Sequence, residues 1–258
     1  MNTTRFEAHV QYQEGRLSLE AGTPPASAVS LIGYWSALLT TVFSLAFGLA
    51  VIVTLISSLS SSSSSSGLPG WSGIEGFLVA FQPIQMLPVI PSLFLAPAFT
   101  ALMVSVHYYS PPDKKIWSHL GLSFTLIYAT MATINYMVQL IPVWRSIVNK
   151  ETDGLAMFVL GNPHSFFWAL TYAYIFMHLA MLFAAPVFAG GGLEKWIRRL
   201  FILNGITVVV TLSGIVVDSP PYYLLGALLV WCPVFTAAAI MLAILFRRNL
   251  SARDRIDR

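Results

Sequence analysis

Apolar residues run in six long stretches, at roughly 30–56, 84–108, 116–141, 165–188, 196–217 and 221–246. Each helical residue rises about 1.5 Å, so about 20 of them cross the ~30 Å hydrocarbon layer of a bilayer. All six stretches meet that length. The breaks between them carry turn or charge signals, among them Ser110-Pro111-Pro112-Asp113, Gly190-Gly191-Gly192 and Asp218-Ser219-Pro220-Pro221. The pattern predicts an all-α integral membrane protein, a bundle of about six transmembrane helices over 30–246. A 1–29 segment precedes it and a basic 247–258 tail follows. The first stretch is too long for the apolar part of a secretory signal, and Glu7, Glu14 and Glu20 precede it, so it reads as a retained helix.

Composition agrees. Apolar residues make up 56% of the 258 and charged residues 10%, against about 45–50% and about 25% in a soluble domain. A water-soluble fold has no place for that much apolar side chain, whereas lipid solvates the outer faces of helices. The single cysteine, Cys232, excludes a disulfide framework and a thiolate metal cluster. A net charge of +3 is no sign of nucleic acid here, because position explains it. Of the 14 Lys and Arg residues, only Arg145 and Lys150 fall on one side of the alternating spans; the other twelve share the opposite side with both termini. That bias places the N- and C-termini in the cytoplasm, across a plasma or inner membrane.

The outer side carries the longer connections. The first holds a flexible, Ser-rich stretch over 57–68, with Ser60 to Ser66 unbroken, which has nothing to bury. Short apolar segments at 71–81 and 155–160 are too short to span and read as interfacial or re-entrant pieces, short helices among the options. An offset of eighty aligns Pro83 with Pro163 and Lys115 with Lys195. This is either a duplicated hairpin, as transporters often contain, or the ordinary placing of Lys and Trp where a return helix begins.

Polar residues inside hydrocarbon are costly and should face the bundle interior. Helical spacing puts Gly121, Thr125, Tyr128, Ala132, Asn135 and Gln139 on one face of the third span. It aligns Thr171, Tyr174 and His178 on the fourth, and Asn204, Thr207 and Thr211 on the fifth. Ser36, Thr40, Ser44 and Gly48, four apart on the first span, form a small-residue stripe suited to close helix approach. His178 lies near mid-span and reads equally as a proton relay, a ligand anchor, an axial metal ligand, or a neutral ring bonded to Tyr or Asn of a neighbour. Pro88, Pro91 and Pro97 should bend or unwind the second span, and exposed carbonyls at that depth survive beside protein or a cavity. The candidate ligand-binding residues are therefore His178, Tyr174, Asn135, Gln139, Gln85 and Tyr128, with Pro88 and Ser92 on the same rim.

Several chemistries lack their groups. The spans hold no Lys for a retinal Schiff base and no mid-membrane acid for a carboxylate carrier. No His-Glu-x-x-His or phosphate loop occurs. Thr211-Leu212-Ser213-Gly214 departs from the Gly-x-Ser-Gly of an intramembrane protease, and no His follows it. His107 and His178 differ in depth, which disfavours a bis-histidine haem. Three classes remain: a non-enzymatic binding, transport-like or sensor-like module for a small apolar or amphipathic molecule; an accessory subunit of a larger membrane complex; and an intramembrane enzyme or redox protein using His178. The lipid bilayer is the one partner the composition demands; the residues leave the cofactor unknown.

Overall fold

The long apolar runs fold as helices. In the computed structural model, six are long and apolar enough to cross a bilayer: Ser27–Ser57, Pro83–Tyr109, Pro112–Asn149, Phe166–Val187, Leu193–Ser213 and Cys232–Ala252. The structure describes residues 26–61, 71–216 and 231–254, and among them there is no strand. The helices are α1 (Ala26–Ser61), α2 (Gly73–Ala80), α3 (Val89–Tyr109), α4 (Lys115–Val138), α5 (Trp144–Asn149), α6 (Phe166–Leu170), α7 (Tyr174–Ala184), α8 (Leu193–Val216) and α9 (Cys232–Asp254). The 1–29 segment before Ala26, most of the serine run and the stretch 217–230 lie outside the described residues.

Helices α1, α3, α4, α7, α8 and α9 stand in chain order around a ring, each packed on the next, and α9 closes it against α1. Leu31, Trp35, Val42, Leu49 and Ile56 on the outward face of α1 are at least half exposed. Each would cost about 1.5–3 kcal/mol in water relative to burial, a cost that hydrocarbon removes. The opposite, small-residue face is buried: Ser36, Thr40 and Ser44 are at most 5% exposed. It meets α9, where Ser44 and Thr236 share a hydrogen bond of 2.7 Å and Gly33 lies under the Phe246 ring.

Spans three and six differ from the hydropathy boundaries. The third does not stop near 141. Pro142 has no N–H for the carbonyl four residues back, and the chain widens into a π turn over Gln139–Val143, Trp144 N–H reaching the Gln139 carbonyl, before α5 continues to Asn149. The sixth continues past Phe246 through Arg247 and Arg248 to Asp254. Arg is a strong helix former, and its aliphatic stem tolerates a boundary position. Of the bend or unwinding expected of span two, its first residues show the unwinding. Pro83 opens a 3-10 turn (Pro83–Met86), Pro88 caps α3 and Pro91 sits in its first turn, where an N–H has no intrahelical partner anyway. Only Pro97 interrupts the helix proper.

Hydroxyls inside the helices satisfy themselves on carbonyls four residues back: Thr41 on Ala37, Thr100 on Ala96, Ser105 on Ala101 and Thr125 on Gly121, all 2.8–3.0 Å. The interior is aromatic and sulfur-rich, with Phe99, Tyr128, Met177, Met181, Phe201 and Phe235 all fully buried. In the half of the ring nearer the α3–α4 turn it closes almost completely, leaving about 10 Å³ beside Thr40, Phe99, Met181 and Phe235. Lys114, Lys115, Lys195, Arg198 and Arg199 gather at that basic end, where α3 gives way to α4 and α8 begins. At the other, loop end, α2, the π turn and the 155–165 connection share a small core of Val143, Leu155 and Val159 with Trp71, Ile74 and Phe77.

Candidate functional site

The described residues do not fill the half of the ring toward the loop end. A cavity of about 360 Å³ lies there, lined by Phe47, Val51, Thr54 and Leu55 of α1, Gln85, Pro88, Val89 and Ser92 of the second span, Tyr136 of α4, and Leu160, Trp168, Thr171 and Tyr174. Three departures from α-helix surround it. Gln85 belongs to the 3-10 turn Pro83–Met86, Tyr136 lies one turn before the π turn, and Thr171 opens a 3-10 turn (Thr171–Ala173) inside the fourth span. Irregular backbone at this depth is tolerated against protein or a cavity; here it widens the spacing between helices that pack closely elsewhere.

A chain of hydroxyls crosses the floor. The Ser92 hydroxyl lies 2.8 Å from the Pro88 carbonyl, which accepts from it. Tyr136 is hydrogen-bonded to Ser92, and the Tyr136 and Tyr174 hydroxyls share a bond of 2.9 Å. Along the walls, Thr54 donates to the Ile84 carbonyl at 3.2 Å and Thr171 to the Trp168 carbonyl at 2.5 Å. Beneath the floor, Trp231 meets Tyr174 and Phe47 edge-on at 4.9 and 5.3 Å, and Tyr128 lies 5.6 Å from Tyr174. This aromatic layer separates the cavity from the sealed half of the bundle.

Of the residues singled out by sequence, Gln85 and Tyr174 line the cavity together with Pro88 and Ser92. Tyr128 backs Tyr174 from behind. Asn135 and Gln139 do not line it. Gln139 donates to the Phe158 carbonyl at 2.7 Å, pinning the 155–165 connection. Asn135 is 1% exposed, and neither end of its amide has a partner among the described residues. His178 lies at the seam of α7 and α8, away from the lining. The Thr207 hydroxyl lies 2.5 Å from the Asn204 carbonyl, which accepts from it. His178 Nδ1 lies 2.9 Å from both Asn204 Oδ1 and Thr207 Oγ1. The ring thus meets an Asn of the neighbouring helix α8.

Comparison with known proteins returns no match to a family model, to a curated protein or to a solved structure.

Sequence reasoning passed over Tyr136, Phe47, Thr54, Leu160 and Trp168. Tyr136 had a signal: a second polar ring beside Asn135, about 100° around the helix. The others are ordinary residues of apolar runs, and only the ring closure brings them to one space. Among the described residues no three of His, Cys, Asp and Glu converge on a metal site. The nearest pairing is at the basic end, where the His107 and His119 rings lie 5.7 Å apart and His107 Nδ1 is 2.9 Å from Ser118 Oγ. Among the described residues, none that lines the cavity is charged. It can enclose an apolar body and fix one polar group.

Proposed function

We propose that the chain is a multi-pass membrane protein that holds a small apolar or amphipathic molecule in the cavity between Gln85 and Tyr174, as a sensor-like or transport-like module. One observation carries this reading: a cavity of about 360 Å³ whose described lining is uncharged and largely apolar, with its polar groups concentrated on a floor of bonded hydroxyls. Ligand sites are concave, mostly apolar, typically about 300–1,000 Å³, and carry few, well-placed polar groups. The aromatic layer under the floor favours binding over an open pore in this conformation.

Filling the space tests the idea. Val51→Trp, on the α1 wall, should leave the bundle folded and abolish ligand-dependent thermal stabilisation in a screen of apolar and amphipathic compounds in nanodiscs. A screen that stabilises wild type and Val51→Trp equally would remove the cavity from the account.

The same reading places the basic end, with both termini, in the cytoplasm, supported by the positive residues gathered there. A phosphatase domain fused after Arg258 should be inactive in cells; an active fusion would invert the topology. The alternative of an accessory subunit has its own support in α1, the least buried of the spans, whose outward face a neighbouring subunit could cover in place of lipid.

A further inference from the structure

Far from the cavity, the basic end carries positive charge that its carboxylates do not meet. Among the described side chains there, both carboxylates are already engaged. Asp113 pairs with Lys114 at 3.3 Å, and Glu194 accepts from the Tyr109 hydroxyl at 2.6 Å and the Gly190 N–H at 2.8 Å. Two of the cations lie over rings, Lys115 on Tyr108 and Arg199 on Trp196. Arg247 and Arg248 have neither a carboxylate nor a ring among the described residues. Both are exposed, and Phe246 beside them meets Tyr109 edge-on at 5.9 Å, which sets them at the basic end. Trp117 and Trp196, exposed at the same end, mark the level where hydrocarbon gives way to headgroups.

The two guanidiniums sit in a groove. It measures about 440 Å³, and its described lining is Ile244, Arg247, Arg248, Ser251 and Ala252 of α9. The polarity of this face is graded along the helix axis. Ile240 and Ile244, both exposed, lie two turns and one turn before the arginines, and Ser251 lies one turn after them. From Ile240 to Arg247 the helix advances about 10 Å. An apolar strip of that length leading to two unpaired cations and a hydroxyl has the profile of one lipid molecule.

We propose that this face of α9 binds a phospholipid of net negative headgroup, its phosphodiester on Arg247, Arg248 and Ser251 and its acyl chain along Ile244 and Ile240. A guanidinium presents paired N–H donors that match phosphate oxygens. A zwitterionic lipid would bring an ammonium of its own into a groove that already holds two cations. A free phosphate ion would satisfy the arginines and leave the isoleucines uncovered.

The probe is a phosphatidylglycerol with a diazirine in its acyl chain, photolysed with the full chain in detergent and mapped by peptide mass spectrometry. Label should fall on α9 around Ile240 and Ile244. Unlabelled phosphatidylglycerol should displace it about 25-fold better than phosphatidylcholine of the same chains, at about fivefold for each basic side chain beside an anionic headgroup. In Arg247→Gln, Arg248→Gln that preference should fall to near parity. Lys195→Gln, Arg198→Gln removes as much charge from the same end and should keep it. Equal displacement by the two lipids in the wild type, equal loss in both double variants, or label confined to other helices would overturn the proposal. Glycerol phosphate displacing the probe as well as intact phosphatidylglycerol does would make this a site for a free anion and equally overturn it.

Discussion

Gly121→Val should yield no monodisperse folded protein, or one whose melting in detergent collapses. A Cβ at Gly121 would lie 2.8 Å from the Ala180 carbonyl oxygen and 3.0 Å from the Ala184 Cβ. The first is backbone, fixed in the α7 helix, and neither can step aside as the tip of a long side chain would. Gly121 is where α4 touches α7, so relief requires separating two packed helices, and separation releases the stacking of Phe124 on Phe183 and Phe176 as well. Overpacking of this kind costs about 1–3 kcal/mol and at times more; a branched side chain against backbone belongs at or beyond the top of that range. Gly191→Val is the control, since a Cβ there meets nothing within 4 Å. Comparable size-exclusion profiles and melting for the two variants would mean that α4 and α7 are not in contact as described.

His178→Leu should cost about 2–3 kcal/mol in denaturant or thermal unfolding, and adding Asn204→Leu should return part of it. The single change leaves the buried Asn204 carboxamide with no partner, since its Nδ2 has none among the described residues and its Oδ1 loses the imidazole. An orphaned buried polar group costs about 1–3 kcal/mol, while replacing both partners by apolar groups of similar shape can be nearly neutral. Non-additivity of this sign distinguishes a structural bond from two independent losses. A double variant less stable than the sum of the singles would contradict the pairing. The experiment also bears on function. If ligand-dependent stabilisation survives His178→Leu, the histidine is a fastener between α7 and α8; if it vanishes while the fold persists, His178 belongs to the binding machinery.

The number of long helices and their rough positions were legible because hydrocarbon imposes a simple length rule. The face of α4 was legible too: Gly121, Thr125, Tyr128, Ala132, Asn135 and Gln139 are all buried, as spacing alone predicts. What spacing cannot say is which neighbour a face meets. Asn135 and Gln139 turn with Tyr128, whereas Tyr136, one position on, turns into the cavity. Pro142 was visible in the sequence, but a π turn that re-registers the helix and carries it on to Asn149 was not, because hydropathy has no term for hydrogen-bond register. Pro88 and Pro91 were read as sources of a bend. Their place at the beginning of α3, where missing donors cost little, depends on where the helix starts, and boundaries are the least legible feature of any helix.

Because the ring closes between α1 and α9, it is finished only once the sixth long helix has been made. Until α9 arrives, the hydroxyl of Ser44 has no Thr236, and the flank of α1 around Gly33 has no Phe246 to cover it. Five spans can be laid side by side by local contacts, but the contact that joins α1 to α9 spans 192 positions for that single bond. Such late, distant closure is the slow step of a topology. Quality control in the membrane would find, in every half-made copy, the same unclosed edge.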